Sequence, residues 1–436
     1  MPDDRPPRVL LVAEAANPKG FSVALIGWSF GRALASVCQP ILATEKRNRE
    51  DCLAHGAREG VDLESVDNRF WQHGAWKVST MLRGGNALGW STYSALATLV
   101  YPIFERRLWK QFEARLARRE FDLVHRITPL APVVPSSLAG RCARLNVPFM
   151  LGPLNGGVPW PKEYPELRAA EREWLYPFRN VYKSLPGFHS TRRNASAILV
   201  ASRSALRELP EQYHSKTVYI PENAIDPDRF PRRTPPAPST PARAAFVGRL
   251  VPLKGVDMLL EAAAPLCREG RLALDIIGDG PELPRLKQLA IDRGIADQVE
   301  FPGWVDHSKM ADRLGRSQIF AFPSVREFGG GVVLEAMALG LVPLVVDYGG
   351  PGELVPEGTG FSIPMAPREK LVADFRDSLT RLIARPDDLA SLGKRAQDYV
   401  YKHFTWDAKA RQIREVYDWV LKRRADKPDW GIPIRP

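Results

Sequence analysis

The chain has 436 residues, 44% of them hydrophobic and 25% charged, with a net charge of +11. That length is too great for one core and predicts two domains of a soluble globular protein. Four scattered cysteines (Cys38, Cys52, Cys142, Cys267), with no C-x-x-C pair, argue against a zinc site and a disulfide framework and fit a reducing cytosol. No apolar run approaches the roughly 18 residues of a membrane-spanning helix.

The N-terminal M-P-D-D-R-P-P-R runs directly into the strand-like V-L-L-V-A (Val9 to Ala13) without a secretory pattern, so a cytoplasmic protein is expected. Further strands are predicted at Asp122 to His125, Pro148 to Leu151, Ala197 to Ala201 and Thr217 to Ile220. Residues 70–119 break this alternation, being aromatic, basic and helical. The pattern suits either a helix lying in a membrane interface or an amphipathic helix packed on a sheet. The segment 226–243 is dense in proline and reads as a stiff linker. Beyond it, strands are predicted at Ala244 to Gly248, Leu274 to Gly278, Val299 to Gly303, Ile319 to Pro323 and Val342 to Asp347.

Short apolar runs spaced by helices are the pattern of buried parallel strands, so each half is predicted to be a doubly wound α/β domain. The expected organisation is an N-terminal domain over 1–225, the linker 226–243, a second domain over 244–404, and a helix over 405–424 packing back on the first domain. Ligands of such sheets bind beyond the C-terminal ends of the strands. Charge is uneven: residues 1–230 carry 31 Lys/Arg against 23 Asp/Glu, so +8 of the +11 lies there. An excess of that kind attracts anionic lipid surfaces or phosphorylated substrates, and no nucleic-acid-binding module accompanies it.

The stretch S-V-R-E-F-G-G-G-V-V-L-E-A-M-A carries the most chemistry. Gly329, Gly330 and Gly331 bare the backbone where a loop becomes a helix predicted over Val332 to Leu339, leaving N–H groups open to a phosphate. Glu327 precedes that turn and Glu335 lies inside the helix. Two carboxylates beside an anion-binding helix start suit a ligand with both hydroxyls and phosphates. In A-F-V-G-R-L-V-P-L-K-G, Arg249 and Lys254 follow a strand, where two cations would neutralise a diphosphate. I-I-G-D-G-P places Gly278 and Gly280 in a tight turn, and Gly349 and Gly350 bare a further loop after Asp347. Asp226 and Asp228 form an Asp-x-Asp without a third carboxylate nearby and read as a turn, so no metal site is expected.

Taken in order, G-R-L-x-x-x-K-G, I-G-D-G-P, F-P-G-W-V, the paired glutamates and G-G-P-G-E resemble the retaining glycosyltransferases of family four. The resemblance covers the second domain, with I-P-E-N-A-I-D before the linker and a looser match in the first domain. It implies a GT-B fold, two Rossmann-like domains facing a cleft. It also implies a metal-independent transfer of a sugar from a UDP- or GDP-sugar to a glycan or lipid-linked acceptor with retention. G-P-L-N-G-G-V-P-W-P is similar to enzymes of bacterial surface-polysaccharide synthesis.

Carried over residue by residue, the resemblance gives Arg249 and Lys254 to the leaving diphosphate, Glu335 to the ribose and Glu327 to the sugar. His125 would stand near the reacting centre. Phe328, Gly329, Gly330, Gly331, Gly349 and Gly350 would line the sugar and phosphate positions, with Asn155, Gly156, Gly157 and Asn223 beside them. The family's first strand leads into a Gly-Gly loop; here it is E-A-A-N-P-K-G, leaving Gly20 for that part and Lys19 as an unexpected cation. The expected partners are the nucleotide sugar, the acceptor and the cytoplasmic membrane face through the basic N-terminal domain. A nucleotide-sugar epimerase of the same fold and a non-catalytic GT-B scaffold binding glycan or lipid are the competing readings.

Overall fold

The computed structural model describes residues 5–20, 22–67, 90–170 and 181–432. They divide into two compact units: the chain up to Gly157 with Arg168–Glu222 and Lys409–Ile432, and Val158–Leu167 with Asn223–Ala408. The aromatic segment F-W-Q-H-G-A-W of residues 70–76 lies outside the described residues.

The first unit is built on a seven-stranded sheet. Its strands are β1 (Arg8–Ala13), β2 (Gln39–Glu45), β3 (Leu63–Val66), β4 (Leu123–Thr128), β5 (Phe149–Leu154), β6 (Ala197–Val200) and β7 (Thr217–Tyr219). They lie in the order β3-β2-β1-β4-β5-β6-β7, every neighbouring pair parallel. The second unit holds β8 (Ala242–Val247), β9 (Leu272–Ile277), β10 (Val299–Gly303), β11 (Ile319–Phe322), β12 (Val342–Asp347) and β13 (Phe361–Pro364). Its order is β10-β9-β8-β11-β12-β13, again parallel throughout. Both sheets are therefore doubly wound, with one gap each where the order reverses: β1 against β4, and β8 against β11. Loops leaving those paired strands in opposite directions open a crevice at their C-terminal ends.

The apolar runs became central strands because both faces are covered. Every residue of β4, β5, β6, β9 and β11 is buried. Sequence periodicity missed β2, β3 and β13. β3 and β13 are sheet edges with half-exposed residues, and an edge strand needs no continuous apolar run. β2 opens Gln-Pro before its buried stretch.

Within the described part of the long helix Trp90–Ala117, Tyr101, Phe104, Leu108, Phe112 and Leu116 are buried. Arg106, Arg107 and Lys110 are exposed on its other face. This is the amphipathic helix packed on a protein core. Among the described residues no helix is long and apolar enough to cross a membrane. The proline-rich stretch is fastened to the second unit: Tyr401 donates to the Phe230 carbonyl at 2.6 Å, and Gln318 to that of Ala237 at 2.8 Å.

Candidate functional site

The second sheet's reversal point holds a cavity of about 480 Å³. Its wall includes Gly248 and Arg249 just after β8, Lys254 in the following turn, Phe322 at the end of β11, Glu327, and Gly330, Gly331 and Glu335 of the next helix. That helix runs Gly331–Ala338 and starts from Gly330, whose φ of 68° is left-handed and open to glycine at little cost. Its N-cap is a glycine, with no side chain to cover the first N–H groups, and the Val333 N–H donates to the Gly330 carbonyl at 2.9 Å. At Gly278 the backbones of neighbouring strand ends meet: a Cβ there would stand 1.9 Å from the Gly248 carbonyl oxygen. The I-G-D-G-P motif is thus needed to bring two strand ends together.

Lys254 and Glu327 form an ion pair, and the Lys254 ammonium lies 5.1 Å from the centre of the Phe322 ring. The resemblance gives these two residues separate ligands; in the structure they hold each other. Arg249 is exposed at the wall. Glu335 is mostly buried, and loss of solvation pushes its carboxyl up to about 7 despite the opposing Arg229 guanidinium. Asn223 stands beside the helix start, its Oδ1 3.1 Å from where a Cβ on Gly331 would lie.

The second glycine loop supports the first. A Cβ at Gly349 would meet the Glu327 carbonyl oxygen at 2.1 Å, and one at Gly350 the Phe328 carbonyl oxygen at 2.4 Å. The Gly350 N–H donates to the Glu327 carbonyl at 3.2 Å. Phe328, Gly329, Gly349 and Gly350 thus lie behind the cavity wall. Trp304, 66% exposed, and Asp279 line the cavity and were not singled out from sequence. The signal was there in F-P-G-W-V: a large aromatic in the loop after β10 has no core to enter.

The remaining candidates belong to the first unit. His125 is fully buried in β4. The Gly152 carbonyl, 2.8 Å from its Nε2, can only accept, so Nε2 carries the proton and Nδ1 accepts from the Tyr417 hydroxyl at 2.9 Å. Burial holds its pKa down to about 4. With both nitrogens engaged, this ring has none left for a substrate. Asn155 is buried, donating to Glu222 at 2.6 Å and accepting from the Gly156 N–H at 2.7 Å. Gly157 has a left-handed φ of 71°. Gly20 closes a turn on the Asn17 carbonyl, and Lys19 pairs with Asp51 at 2.8 Å.

Sequence reasoning missed Glu14 at the first sheet's reversal point. Burial pushes its carboxyl up to about 7, opposed by a 2.6 Å hydrogen bond from the Thr128 hydroxyl across the β1/β4 gap. Asp226 accepts from the Asp228 N–H at 3.0 Å, the turn expected of that pair. Among the described residues, no group of three or more His, Cys, Asp or Glu is placed to hold a metal ion.

Two parallel α/β units of this order define the GT-B fold, and solved structures agree. Sucrose-phosphate synthase from Thermosynechococcus elongatus superposes with a TM-score of 0.64 at 19% identity, over 96% of this chain and all of that one. Anabaena Alr3699/HepE, solved with UDP and glucose, gives 0.56 at 17%, over 94% and 98%. Residues 228–399 match the family described as Glycosyl transferases group 1, and form a domain of that family. A D-inositol 3-phosphate glycosyltransferase of Gordonia bronchialis is 35% identical over 200 residues, 43% of either chain. A GDP-mannose-dependent alpha-(1-6)-phosphatidylinositol monomannoside mannosyltransferase of Mycobacterium tuberculosis is 30% identical over 217 residues, 45% of this chain and 54% of that one. The chain spans about half the length, or less, of the curated relatives it matches.

Proposed function

We propose that this chain transfers a glycosyl group from a nucleoside diphosphate sugar to a hydroxyl of a glycan or lipid-linked acceptor, keeping the anomeric configuration. The observation that carries this reading is the convergence of Arg249, Lys254, Glu327 and Glu335 with a bare helix start on one cavity. A ribose offers two adjacent hydroxyl donors to Glu335, and a diphosphate needs the cations and N–H groups. Trp304 at the wall offers a ring to a base. The volume, about 480 Å³, is in the usual range for a small-molecule site.

In the reaction, the bond from the anomeric carbon to the β-phosphate oxygen breaks, and the acceptor oxygen bonds to that carbon on the same face. The acceptor's proton passes to the departing phosphate. Charge grows on that phosphate as the bond breaks, where the Arg249 and Lys254 cations stabilise it most. Lys254 would turn from Glu327 to the diphosphate, leaving the Glu327 carboxylate to the sugar hydroxyls. Two side-chain cations supply the charge a divalent ion would otherwise bring, so we propose metal-independent transfer without a cofactor. The similarity to a GDP-mannose-dependent mannosyltransferase supports a sugar nucleotide as donor.

Placement at the cytoplasmic face of a membrane, in the synthesis of a surface polysaccharide, goes with this reading. Exposed Arg106, Arg107 and Lys110 would meet anionic headgroups there. Calorimetric titration with UDP, GDP, UDP-glucose and GDP-mannose tests the donor site, and the anomeric configuration of the product tests retention. Product formed without any acceptor would favour an epimerase. Binding of none of the four would end the nucleotide-sugar reading, and activity abolished by EDTA would end metal independence.

A further inference from the structure

The loop carrying Glu327 is gripped from behind by a side chain to which none of the roles above belongs. Arg326 is 8% exposed. Its guanidinium carbon lies 4.4 Å from the centre of the Trp160 ring and 5.1 Å from that of Phe328, and its Nε donates to the Val158 carbonyl at 3.2 Å. Trp160 is itself buried. Stacking on two rings uses the flat, delocalised guanidinium, which an ammonium of the same charge does not reproduce.

Trp160 comes from the short segment Val158–Leu167, which counts with the second compact unit although its neighbours in sequence count with the first. That segment is fastened at several points. The Tyr348 hydroxyl donates to the Pro159 carbonyl at 3.0 Å, and the Tyr164 hydroxyl to the Ala366 carbonyl at 3.1 Å. The Val158 side chain lies 3.6 Å from where a Cβ on Gly349 would stand. One ten-residue strap therefore touches both the loop after β11 and the loop after β12.

Glu327 sits between Arg326 and Phe328 in the chain, so its backbone is fixed on both sides. Its carboxylate then has a defined reach: one oxygen to Lys254, the other 3.2 Å from the Phe328 N–H. Precise placement of one carboxylate is worth most to a ligand group that only that carboxylate touches, which here is the sugar and not the nucleotide.

We propose that Arg326 is a positioning residue: held by the Trp160 and Phe328 rings and the Val158 carbonyl, it fixes Glu327 beside Lys254 and so selects nucleoside diphosphate sugars over bare nucleoside diphosphates. The inference rests on the cavity taking a nucleotide sugar. It differs from a charge effect, because the Arg326 guanidinium packs on the Trp160 and Phe328 rings behind the cavity wall and acts through Glu327.

The test is a set of calorimetric titrations of wild type, Arg326→Lys, Trp160→Ala and Trp160→Phe with UDP, GDP, UDP-glucose and GDP-mannose. Arg326→Lys and Trp160→Ala should each weaken binding of the preferred nucleotide sugar at least tenfold, and of its bare diphosphate less than twofold. Trp160→Phe keeps a ring under the guanidinium and should stay within threefold of wild type for both, which also shows that the strap tolerates substitution. Equal losses for sugar and bare nucleotide, or wild-type affinity in Arg326→Lys and Trp160→Ala, would overturn the proposal while leaving the donor site standing. Wild type binding none of the four ligands would remove the donor site, and the proposal with it.

Discussion

In the second sheet, the strand ends at β8 and β11 surround a cavity walled by Arg249, Lys254, Glu327 and Glu335. At the corresponding gap of the first sheet, between β1 and β4, Glu14 takes a hydrogen bond from Thr128, and His125 is turned into the core against Tyr417. The strand order is the same in both, so the order alone does not make a charged ligand pocket. What differs is the residue type in the first loop after each central strand. After β8, Gly278 lets its backbone close up on the Gly248 carbonyl, and Arg249 next to that contact is exposed. E-A-A-N after β1 instead puts a carboxyl into the gap, where the surrounding protein keeps it close to neutral. One reversal point gathers two cations and two carboxylates around a cavity, and the other holds a buried carboxyl bonded to Thr128.

The sharpest way to break that comparison is to remove the cation from the second gap. Lys254→Ala should lower transfer by about 100- to 1,000-fold, the usual cost of losing one fixed group that stabilises a developing anion. Its thermal midpoint should move little, since a part-exposed ion pair adds little stability. Near-normal turnover in steady-state assays would refute the cationic half of the comparison. A smaller effect is expected in the first gap. His125→Ala should cost about 2–4 kcal/mol of stability, through the void and the Tyr417 hydroxyl left without its acceptor. The sign with pH is fixed by the depressed value of about 4. The unfolded chain binds more protons between pH 6.5 and 4, so wild-type stability is full above about 6.5 and falls as the pH drops through that window. Denaturant melts of the variant should lack this share of the acid loss. A catalytic histidine would instead show turnover lost with stability intact.

The glycines and charged residues of the second domain were legible because the backbone demands them. Gly278 and Gly330 sit where a side chain would collide or where φ is positive, and Glu335 lies one helical turn past an uncapped helix start. These are local constraints, visible in a window of ten residues. Three features depend on residues far apart in sequence, which no local window shows. His125 faces Tyr417, 292 positions on, so nothing around D-L-V-H reveals that its ring points inward. Arg326 meets Trp160, 166 positions earlier, so the contact exists only after folding. The Lys254–Glu327 pair joins two motifs that each read as complete alone. Strands β3 and β13 were illegible for a different reason: at sheet edges, burial imposes no pattern.

The smallest effect, and the one that bears most directly on the difference between the gaps, concerns Glu335. Its folded value of about 7 lies above the usual carboxylate range near 4.5, so the folded protein binds more protons than the unfolded chain between those values. Stability therefore falls as the pH rises from about 4.5 to 7, and the penalty is complete above 7. Glu335→Gln should raise stability at pH 8 by about 1–2 kcal/mol, discounted from the full shift because the side chain keeps some solvent contact, and change nothing at pH 4. Measuring the variant against wild type isolates this group from Glu14, which shifts the same way in both proteins. The gain should come with a loss: on the proposed reading an ionised Glu335 would accept from two ribose hydroxyls with its two oxygens, whereas the amide has only one oxygen to accept with. Nucleoside diphosphate affinity at pH 8 should fall by about tenfold while the melting point rises, the trade expected of a strained binding group. In wild type the same affinity should weaken as the pH drops below 7, since protonation costs the carboxylate one of its acceptors. A variant more stable at pH 8 yet unchanged in nucleotide affinity would mean that Glu335 is a buried acid with no ligand to meet.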